Sequence, residues 1–421
     1  MAEPALRPSG FREPRLYHLA ALSFPGAIPL AVVLTTLPAW LADHQIKASD
    51  IGLFSLAGLP WSLKFLWAPL LDRYHLPFGG RRRGWVMVMQ VALLFAISAI
   101  GFIDPTRTTM VIGIGLVIAF FSATQDIAMD AYAVEWMSKD QQGPGNSLRT
   151  TFYRIGMLAA GGAAIAAADV LPWRTVFMLI GGAMILGVVL TATASEPVVE
   201  SQSPRTFTEA IVAPIRAFFG RRQALAIAGF VLLYKLGDNM ALSMTSPLFL
   251  QHLGVPKLEL GTLQKTLGMG ATIVGTLIGG ASIGRLGLGR ALWLFGFGQA
   301  TVNVLFAATA WSQGFRPLMY SAIGLEAAMA GMGTAGLLTL ITRITERRYA
   351  ATQFALLTSL MGLGRTFAGV PSGYLVEWVG YEPFFLLTVL AGIPGLWCLS
   401  RFVPFSDRVA QGLETQAEGP T

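Results

Sequence analysis

The chain has 421 residues, of which 54% are hydrophobic and only 13% are charged, and its mean hydropathy is +0.59. A soluble domain carries about 25% charged residues, so this composition excludes an ordinary soluble domain and predicts a membrane protein. The net charge of +7 follows from basic residues spread over short loops, which argues against a nucleic-acid-binding surface. The lone cysteine, Cys398, excludes an intramolecular disulfide.

Twelve apolar segments follow one another along the chain, each long enough to cross about 30 Å of hydrocarbon as a helix. Helices are required because unpaired backbone groups are not tolerated in lipid. The first run, Leu16–Ala42, is too long for a signal peptide and lacks a clear cleavage site, so no cleavable signal is predicted. The predicted spans cover residues 16–42, 49–71, 84–104, 109–137, 146–169, 172–194, 223–252, 258–284, 289–311, 316–343, 351–378 and 381–404.

The longest polar interruption separates six spans from six. It predicts an N-terminal six-helix bundle (1–194), a cytoplasmic linker (195–222), a C-terminal six-helix bundle (223–405) and a polar C-terminal tail (406–421). With the N-terminus in the cytoplasm, the cytoplasmic segments receive 19 Lys and Arg residues and the opposite loops receive five. Basic residues stay on the cytoplasmic side of short loops, so both termini are predicted to be cytoplasmic.

The two halves resemble each other when the chain is shifted by 209 residues, which aligns Asp50 with Glu259 and Arg81 with Arg290. Chance matches within apolar sequence are the alternative explanation. Two parallel six-helix repeats are the plan of the major facilitator superfamily. The predicted fold is therefore an all-α membrane protein with the major facilitator fold, in which twelve transmembrane helices form two six-helix pseudo-repeats.

The fourth span contains the apolar stretch Ala119–Met137, which nevertheless carries Asp126, Asp130 and Glu135. A charge at the centre of a spanning helix costs at least about 2.5–3.5 kcal/mol. Such a residue persists if it faces a watery cavity, pairs with a cation or takes up a proton. Asp126 and Asp130 are four residues apart and share one helical face. This pattern indicates transport across a membrane, with Asp126 and Asp130 as predicted proton-coupling residues and Asp126 favoured.

Further polar residues are expected near the midplane, where substrate sites of such transporters lie between the repeats. Lysine and arginine together with hydrogen-bonding side chains suit a ligand that carries carboxylates, hydroxyls and amides. The alternative is that the charges neutralise one another in structural pairs, Lys235 with Asp238 and Glu326 with Arg365. The predicted substrate-binding residues are Lys64, Gln125, Tyr234, Lys235, Asp238, Asn239, Gln264, Glu326 and Arg365.

Structural pairs are predicted between spans four and five. If their connecting loop is centred near residue 142, Asp130 lies at the depth of Arg154, and Glu135 at the depth of Arg149. These residues are predicted to be structural or gating groups near the cytoplasmic mouth, and for Asp130 this reading competes with the proton-coupling one.

The loop after span two, Leu70–Trp85, resembles the superfamily signature of an Asp-Arg pair followed by a basic cluster, although the opening glycine is missing. The resemblance implies that Asp72 and Arg73 latch the cytoplasmic helix ends in one conformation. The alternative for residues 81–83 is an ordinary cytoplasmic anchor that needs no gate.

Taken together, LKFLWAPLLDRY with GRRRGW, SATQDIAMDAY, LLYKLGD, KTLGMGATIVG and RYAATQFALLTSLMGLGR resemble the AmpG-type muropeptide permeases of the peptide–acetyl-coenzyme A–drug transporter group. The resemblance covers residues 24–399. It implies proton-driven import of N-acetylglucosaminyl-anhydro-N-acetylmuramyl peptides, fragments of cell-wall recycling, from periplasm to cytoplasm across the bacterial inner membrane. The partners implied are the muropeptide, protons and the lipid bilayer, with no nucleic acid and a monomeric state.

Two other functions compete with this one. Acetyl-coenzyme A, or another anionic metabolite, is the alternative cargo within the same group, but its phosphates call for a basic cluster facing the cavity. A membrane-bound enzyme is disfavoured because the histidines are scattered singly and no phosphate loop or metal-ligand cluster is visible. No cofactor and no metal are predicted.

Overall fold

The computed structural model describes residues 13–46, 57–197, 206–313 and 315–403. Within these ranges the chain is helical throughout and no β-strand occurs. The first part of the predicted second span, part of the predicted linker (198–205) and the predicted tail (406–421) lie outside the described residues.

The N-terminal half contributes six helical elements, several of which contain irregular turns. Its second helix is described from Leu59–Leu63 through the 3-10 turn Lys64–Leu66 to Ala68–Arg73. Its fifth helix passes through a π-helical turn at Ala159–Ala163. The elements are α1 (Pro14–Asp43), α2 (Leu59–Leu63 and Ala68–Arg73), α3 (Arg83–Ile100), α4 (Thr108–Trp136), α5 (Gln142–Leu158 and Ala164–Ala167) and α6 (Trp173–Thr193).

A linker helix, α7 (Phe207–Phe219), precedes the C-terminal half. Its N-terminus is capped by Thr206, whose hydroxyl accepts the backbone N–H of Glu209. The C-terminal half then comprises α8 (Ala224–His252), α9 (Leu258–Leu286), α10 (Leu288–Trp311), α11 (Arg316–Ile344), α12 (Ala350–Val379) and α13 (Tyr381–Ser400).

Nine helices in the described ranges are long and apolar enough to cross a membrane, namely α1, α3, α4, α6, α8, α9, α10, α11 and α13. They confirm a multi-pass helical bundle. The remaining three predicted spans, at α2, α5 and α12, stay a prediction. The first half of α5 is too polar to be counted among these helices. It presents polar and charged side chains to neighbouring helices, namely Asn146, Ser147, Arg149 and Arg154.

Two connections are as short as a helix connection can be. Gly287 alone separates α9 from α10, and Gly380 alone separates α12 from α13, with φ of 83° and 84°. These left-handed conformations are accessible to glycine at no steric cost. Each glycine therefore reverses the chain directly at the end of the bundle.

The loops at one end of the bundle are rich in arginine, and we call it the basic end; among the described residues it contains 74–82, 137–141, 194–197, 206–223 and 345–349. At this end the two halves pack together through α5 and α9, where Gly280 lies against Ser147 and Gly143 against Ile283. Small residues allow such close approach in lipid. The Gly275-x-x-x-Gly279 pattern instead faces α11 within the same half.

Candidate functional site

A cavity of about 570 Å³ lies between the halves. Its lining extends along α8 from Lys235 to Ser246 and reaches Gln264 near the start of α9, which is away from the basic end. The lining residues come from α5, α8, α9, α10, α11 and α12. They are Arg154, Lys235, Asp238, Asn239, Leu242, Thr245, Ser246, Gln264, Gly268, Met269, Thr272, Phe306, Ile323, Glu326, Ala327, Ala330 and Arg365.

The helix α8 is interrupted where it meets the cavity. Regular helix ends at Leu233 and resumes at Leu236, and Lys235 between them has φ −102° and ψ 14°. Discontinuous helices are typical of substrate sites in secondary transporters. The sequence shows no proline at this point, and this break was not predicted.

The break positions a buried charged cluster. The Lys235 ammonium donates to the Ala330 carbonyl (3.2 Å) and the Thr334 hydroxyl (3.0 Å), and it forms an ion pair with Asp238 at 3.4 Å. Glu326 of α11 lies within hydrogen-bond reach of Asp238, and both carboxyls are less than one-tenth exposed. The predicted pair of Lys235 and Asp238 is thus present, and it forms part of the cavity wall.

Two arginines complete the charged lining, one from each half. Arg365 of α12 is exposed and makes no ion pair with Glu326 among the described residues, so the predicted bridge between them does not form. The groups that interact with Glu326 include Asp238 and Arg154, and Arg154 reaches the cavity from α5. Arg154, predicted to be a structural or gating residue, therefore lines the cavity.

The predicted pairs between spans four and five are wrong. Asp130 pairs with Arg149 (2.9 Å) and with Lys64 (3.4 Å), not with Arg154, and Glu135 pairs with Arg82. The physical reason is register: α4 ends at Trp136 and α5 begins at Gln142, so the loop is centred near residue 139. The predicted loop centre is wrong by three residues, so the prediction places Arg154 instead of Arg149 at the depth of Asp130.

Asp126 lies one helical turn before Asp130, which pairs with Lys64 and Arg149. Asp126 itself is in no ion pair among the described residues. A Cβ added at Gly26 of α1 would be 4.0 Å from its Oδ1 atom, which places the carboxyl beside α1. Lys64, Asp130 and Arg149 are the charged groups around it. Unlike Asp130, Asp126 is therefore not directly neutralised.

Three predicted substrate-binding residues, Lys64, Gln125 and Tyr234, do not line the cavity. Lys64 pairs with Asp130 within the N-terminal half. Gln125 is fully buried within the N-terminal half, and neither of its amide atoms has a hydrogen-bond partner among the described residues. Tyr234 is buried in the C-terminal half and donates to the Leu292 carbonyl of α10. One residue turns a helix by about 100°, so Tyr234, the neighbour of the cavity-lining Lys235, points into its own bundle. Of the predicted set, Lys235, Asp238, Asn239, Gln264, Glu326 and Arg365 meet at the cavity.

At the basic end, Arg82 is completely buried between two carboxylates. It donates to Asp72 (2.7 Å) and to Glu135 (2.5 Å), and also to the Leu71 carbonyl (2.9 Å). Burial lowers the pKa of Arg82, but the two carboxylates outweigh it and raise the pKa overall. The anchor alternative is therefore wrong for Arg82, because a buried, doubly paired guanidinium has no contact with the lipid surface.

The prediction that Asp72 and Arg73 latch the cytoplasmic helix ends is corrected for Arg73. The Arg73 guanidinium stacks on the Tyr74 ring at 5.0 Å, and the cations paired with Asp72 are Arg82 (2.7 Å) and Arg81 (3.8 Å). Asp72 instead reaches the other half, where it accepts the backbone N–H groups of Ala351 (3.1 Å) and Thr352 (2.9 Å) and the Thr352 hydroxyl (2.7 Å).

These contacts cap the N-terminus of α12, where backbone N–H groups lack partners within the helix and a negative charge is stabilised. We call Asp72, Arg81, Arg82, Glu135 and Thr352 the basic-end cluster. Further contacts between the halves lie at the same end, where Asn146 donates to the Thr342 hydroxyl (2.9 Å) and Arg343 to the Lys139 carbonyl (3.0 Å). The structure is thus closed at the basic end, and the cavity lies beyond this closure.

The sequence profile of the Major Facilitator Superfamily matches residues 19–323. The fold agrees with solved structures of that superfamily: the proton:xylose symporter XylE has a TM-score of 0.71 and 13% identity, covering 96% of this chain and 98% of that one. The fucose:proton symporter FucP of E. coli has a TM-score of 0.71 and 13% identity, covering 92% and 98%. The chain therefore belongs to the major facilitator superfamily.

Curated relatives narrow the class further. The anhydromuropeptide permease of Escherichia coli (strain K12) is 40% identical over 388 residues, covering 92% of this chain and 79% of the relative. A putative transporter AmpG 4 of Rickettsia conorii is 28% identical, covering 92% of this chain and 96% of the relative. The relatives are permeases and transporters and not enzymes. Within the superfamily this chain is an AmpG-type permease.

Proposed function

We propose that the protein imports anhydromuropeptides from the periplasm to the cytoplasm of a bacterium by alternating access, driven by the proton gradient. The observation that carries the proposal is the charged cavity between the halves, whose lining contains Arg154 from one half and Lys235 and Arg365 from the other. A site between the repeats is the position at which transporters of this class bind substrate. The identity to an anhydromuropeptide permease supports this cargo.

The orientation is part of the proposal. The arginine-rich loops support a cytoplasmic basic end and cytoplasmic termini, by the rule that basic residues remain inside. The closed end is then cytoplasmic, and the cavity lining extends toward the periplasm, from which a cell-wall fragment arrives. The protein would work as a monomer in the inner membrane, since the cavity is built within one chain.

The mixed charge of the cavity favours a sugar peptide over acetyl-coenzyme A. The three cations are accompanied by two carboxyls, Asp238 and Glu326, and by the amides of Asn239 and Gln264. A peptide offers carboxylates to the cations and amide N–H groups to the carboxyls and amides. A coenzyme with several phosphates would instead be repelled by the carboxyls.

For proton coupling we propose Asp126, because the charge of Asp130 is compensated by Lys64 and Arg149. A carboxyl without a cation partner in a low-dielectric region can load a proton on one side of the membrane and release it on the other. Asp130 would then hold the surrounding cations in place.

The test is uptake into proteoliposomes of labelled anhydromuropeptide and, separately, of labelled acetyl-coenzyme A, with and without an acidic exterior. We expect accumulation of the muropeptide only when the exterior is acidic, and none of the coenzyme. Asp126→Asn should lose accumulation, whereas the control Asp169→Asn, an exposed residue between α5 and α6, should keep it. Coenzyme uptake would contradict the cargo, and full accumulation by Asp126→Asn would contradict the role of Asp126.

A further inference from the structure

We propose that Asp238 and Glu326 form a carboxyl pair that holds one proton, and that this proton decides whether Lys235 can bind a carboxylate of the transported ligand. The inference rests on the proposed function and adds a second protonation site, in the C-terminal half, to the one proposed at Asp126. It assigns to the cavity itself a link between proton binding and ligand binding.

The first argument is the hydrogen bonding of Asp238. Its Oδ2 atom pairs with Lys235 at 3.4 Å, but its Oδ1 atom is buried and has no donor among the described residues. A buried acceptor left without a donor is costly. The carboxyl of Glu326 lies within hydrogen-bond reach of Asp238, so a proton held between the two carboxyls supplies the missing donor. Two adjacent carboxyls share a proton because their like charges repel.

The second argument is that Lys235 has no donor to spare. An ammonium group has three N–H donors, and here they face the Ala330 carbonyl, the Thr334 hydroxyl and Asp238. A carboxylate of the ligand can reach Lys235 only by replacing Asp238. Protonation of the carboxyl pair weakens the hold of Asp238 on Lys235 and makes that replacement favourable.

The third argument is the charge balance of the cavity. The charged side chains that line it are Arg154 from α5, Lys235 and Asp238 from α8, Glu326 from α11 and Arg365 from α12; the lining residues of α9 and α10 are uncharged. One proton on the carboxyl pair therefore raises the net positive charge that an anionic ligand meets. The protonated cavity should bind an anion more tightly.

Because of Arg154, the charge around the carboxyl pair depends on how the two halves are arranged. It belongs to the N-terminal half, whereas the carboxyl pair belongs to the C-terminal half. When the halves rock against each other, the distance from Arg154 to Glu326 changes. An approaching cation favours loss of the proton, which would strengthen the Lys235–Asp238 pair and release the ligand.

The test measures the dissociation constant of an anhydromuropeptide for the purified, detergent-solubilised protein at pH 5.5 and pH 8. We expect binding about tenfold tighter at pH 5.5, the size of one charge-assisted hydrogen bond. In Glu326→Gln the ratio of the two constants should fall toward one. The control Glu377→Gln, an exposed carboxyl on α12, should keep the wild-type ratio.

A second ligand keeps the test independent of how well the variant folds. For the wild-type protein, a muropeptide whose carboxyls are amidated should bind with the same affinity at both pH values. An equal pH response for the amidated and the charged ligand would overturn the inference, as would an unchanged ratio in a Glu326→Gln protein that binds. Failure of the wild-type protein to bind the muropeptide at either pH would instead contradict the proposed function.

Discussion

The bond between Thr352 and Asp72 gives the sharpest test of the closed basic end. The Thr352 hydroxyl donates to Asp72 Oδ2 at 2.7 Å, and both side chains are buried. The bond joins the two halves, so it exists only while the basic end is closed. Thr352→Val removes this donor, preserves the side-chain shape, and leaves the two backbone donors and Arg82 on Asp72.

The expected magnitude follows from the charge on the acceptor. A hydrogen bond to a charged group contributes about 1.5–3 kcal/mol, which corresponds to a decrease of roughly 10- to 150-fold in the ratio of basic-end-closed to basic-end-open molecules. A control is Thr339→Val, because the buried Thr339 hydroxyl donates only to the Ala335 carbonyl of its own helix among the described contacts.

The assay is the distance between spin labels at Val170 and Ser312, which are exposed on the two halves at the end opposite the basic one. Both are introduced in a Cys398→Ser background. If the basic end opens, the cavity mouth closes and this distance shortens, so Thr352→Val should enrich the short-distance population. Identical distance distributions for the wild type, Thr352→Val and Thr339→Val would refute the assignment of the cluster as a closure.

Two further predictions concern the basic end. Gly280→Val should deplete the closed state in the spin-label assay, by about 1–3 kcal/mol of overpacking against Ser147, while Gly284→Val, where an added Cβ meets nothing within 4 Å, should not; equal effects of the two would contradict the packing. Burial, followed by Arg81, lowers the pKa of His75 below its usual 6.5, so the unfolded chain binds a proton at this group more readily than the folded protein does. The contribution of His75 to stability against unfolding should therefore be complete above pH 6.5 and be lost as the pH falls, and His75→Gln should reduce that pH dependence of the unfolding temperature.

The sequence predicts the helices well because each depends on local composition. Long, largely apolar runs such as Trp173–Thr193 have no alternative to helix in lipid. The shared face of Asp126 and Asp130 likewise follows from helical spacing alone. Both remain correct because they need no knowledge of how helices meet.

The side-chain partners could not be predicted in the same way. Arg149 and Arg154 are five residues apart, and the choice between them as partner of Asp130 turned on a loop centre wrong by three residues. Arg82 pairs across the bundle with Glu135, and nothing in a basic triplet distinguishes the buried arginine from its neighbours. The break at Lys235 depends on tertiary contacts with α11, which local propensity does not encode.

The most direct test of the account is the accessibility of Ser246, an exposed residue in the cavity lining. Ser246→Cys in the Cys398→Ser background is treated with a membrane-impermeant maleimide added from the periplasmic side, and labelling and muropeptide uptake are measured together. The account predicts that the cysteine reacts, that muropeptide slows the reaction, and that the labelled protein no longer transports. Labelling that is insensitive to muropeptide, in a protein that continues to transport, would contradict it.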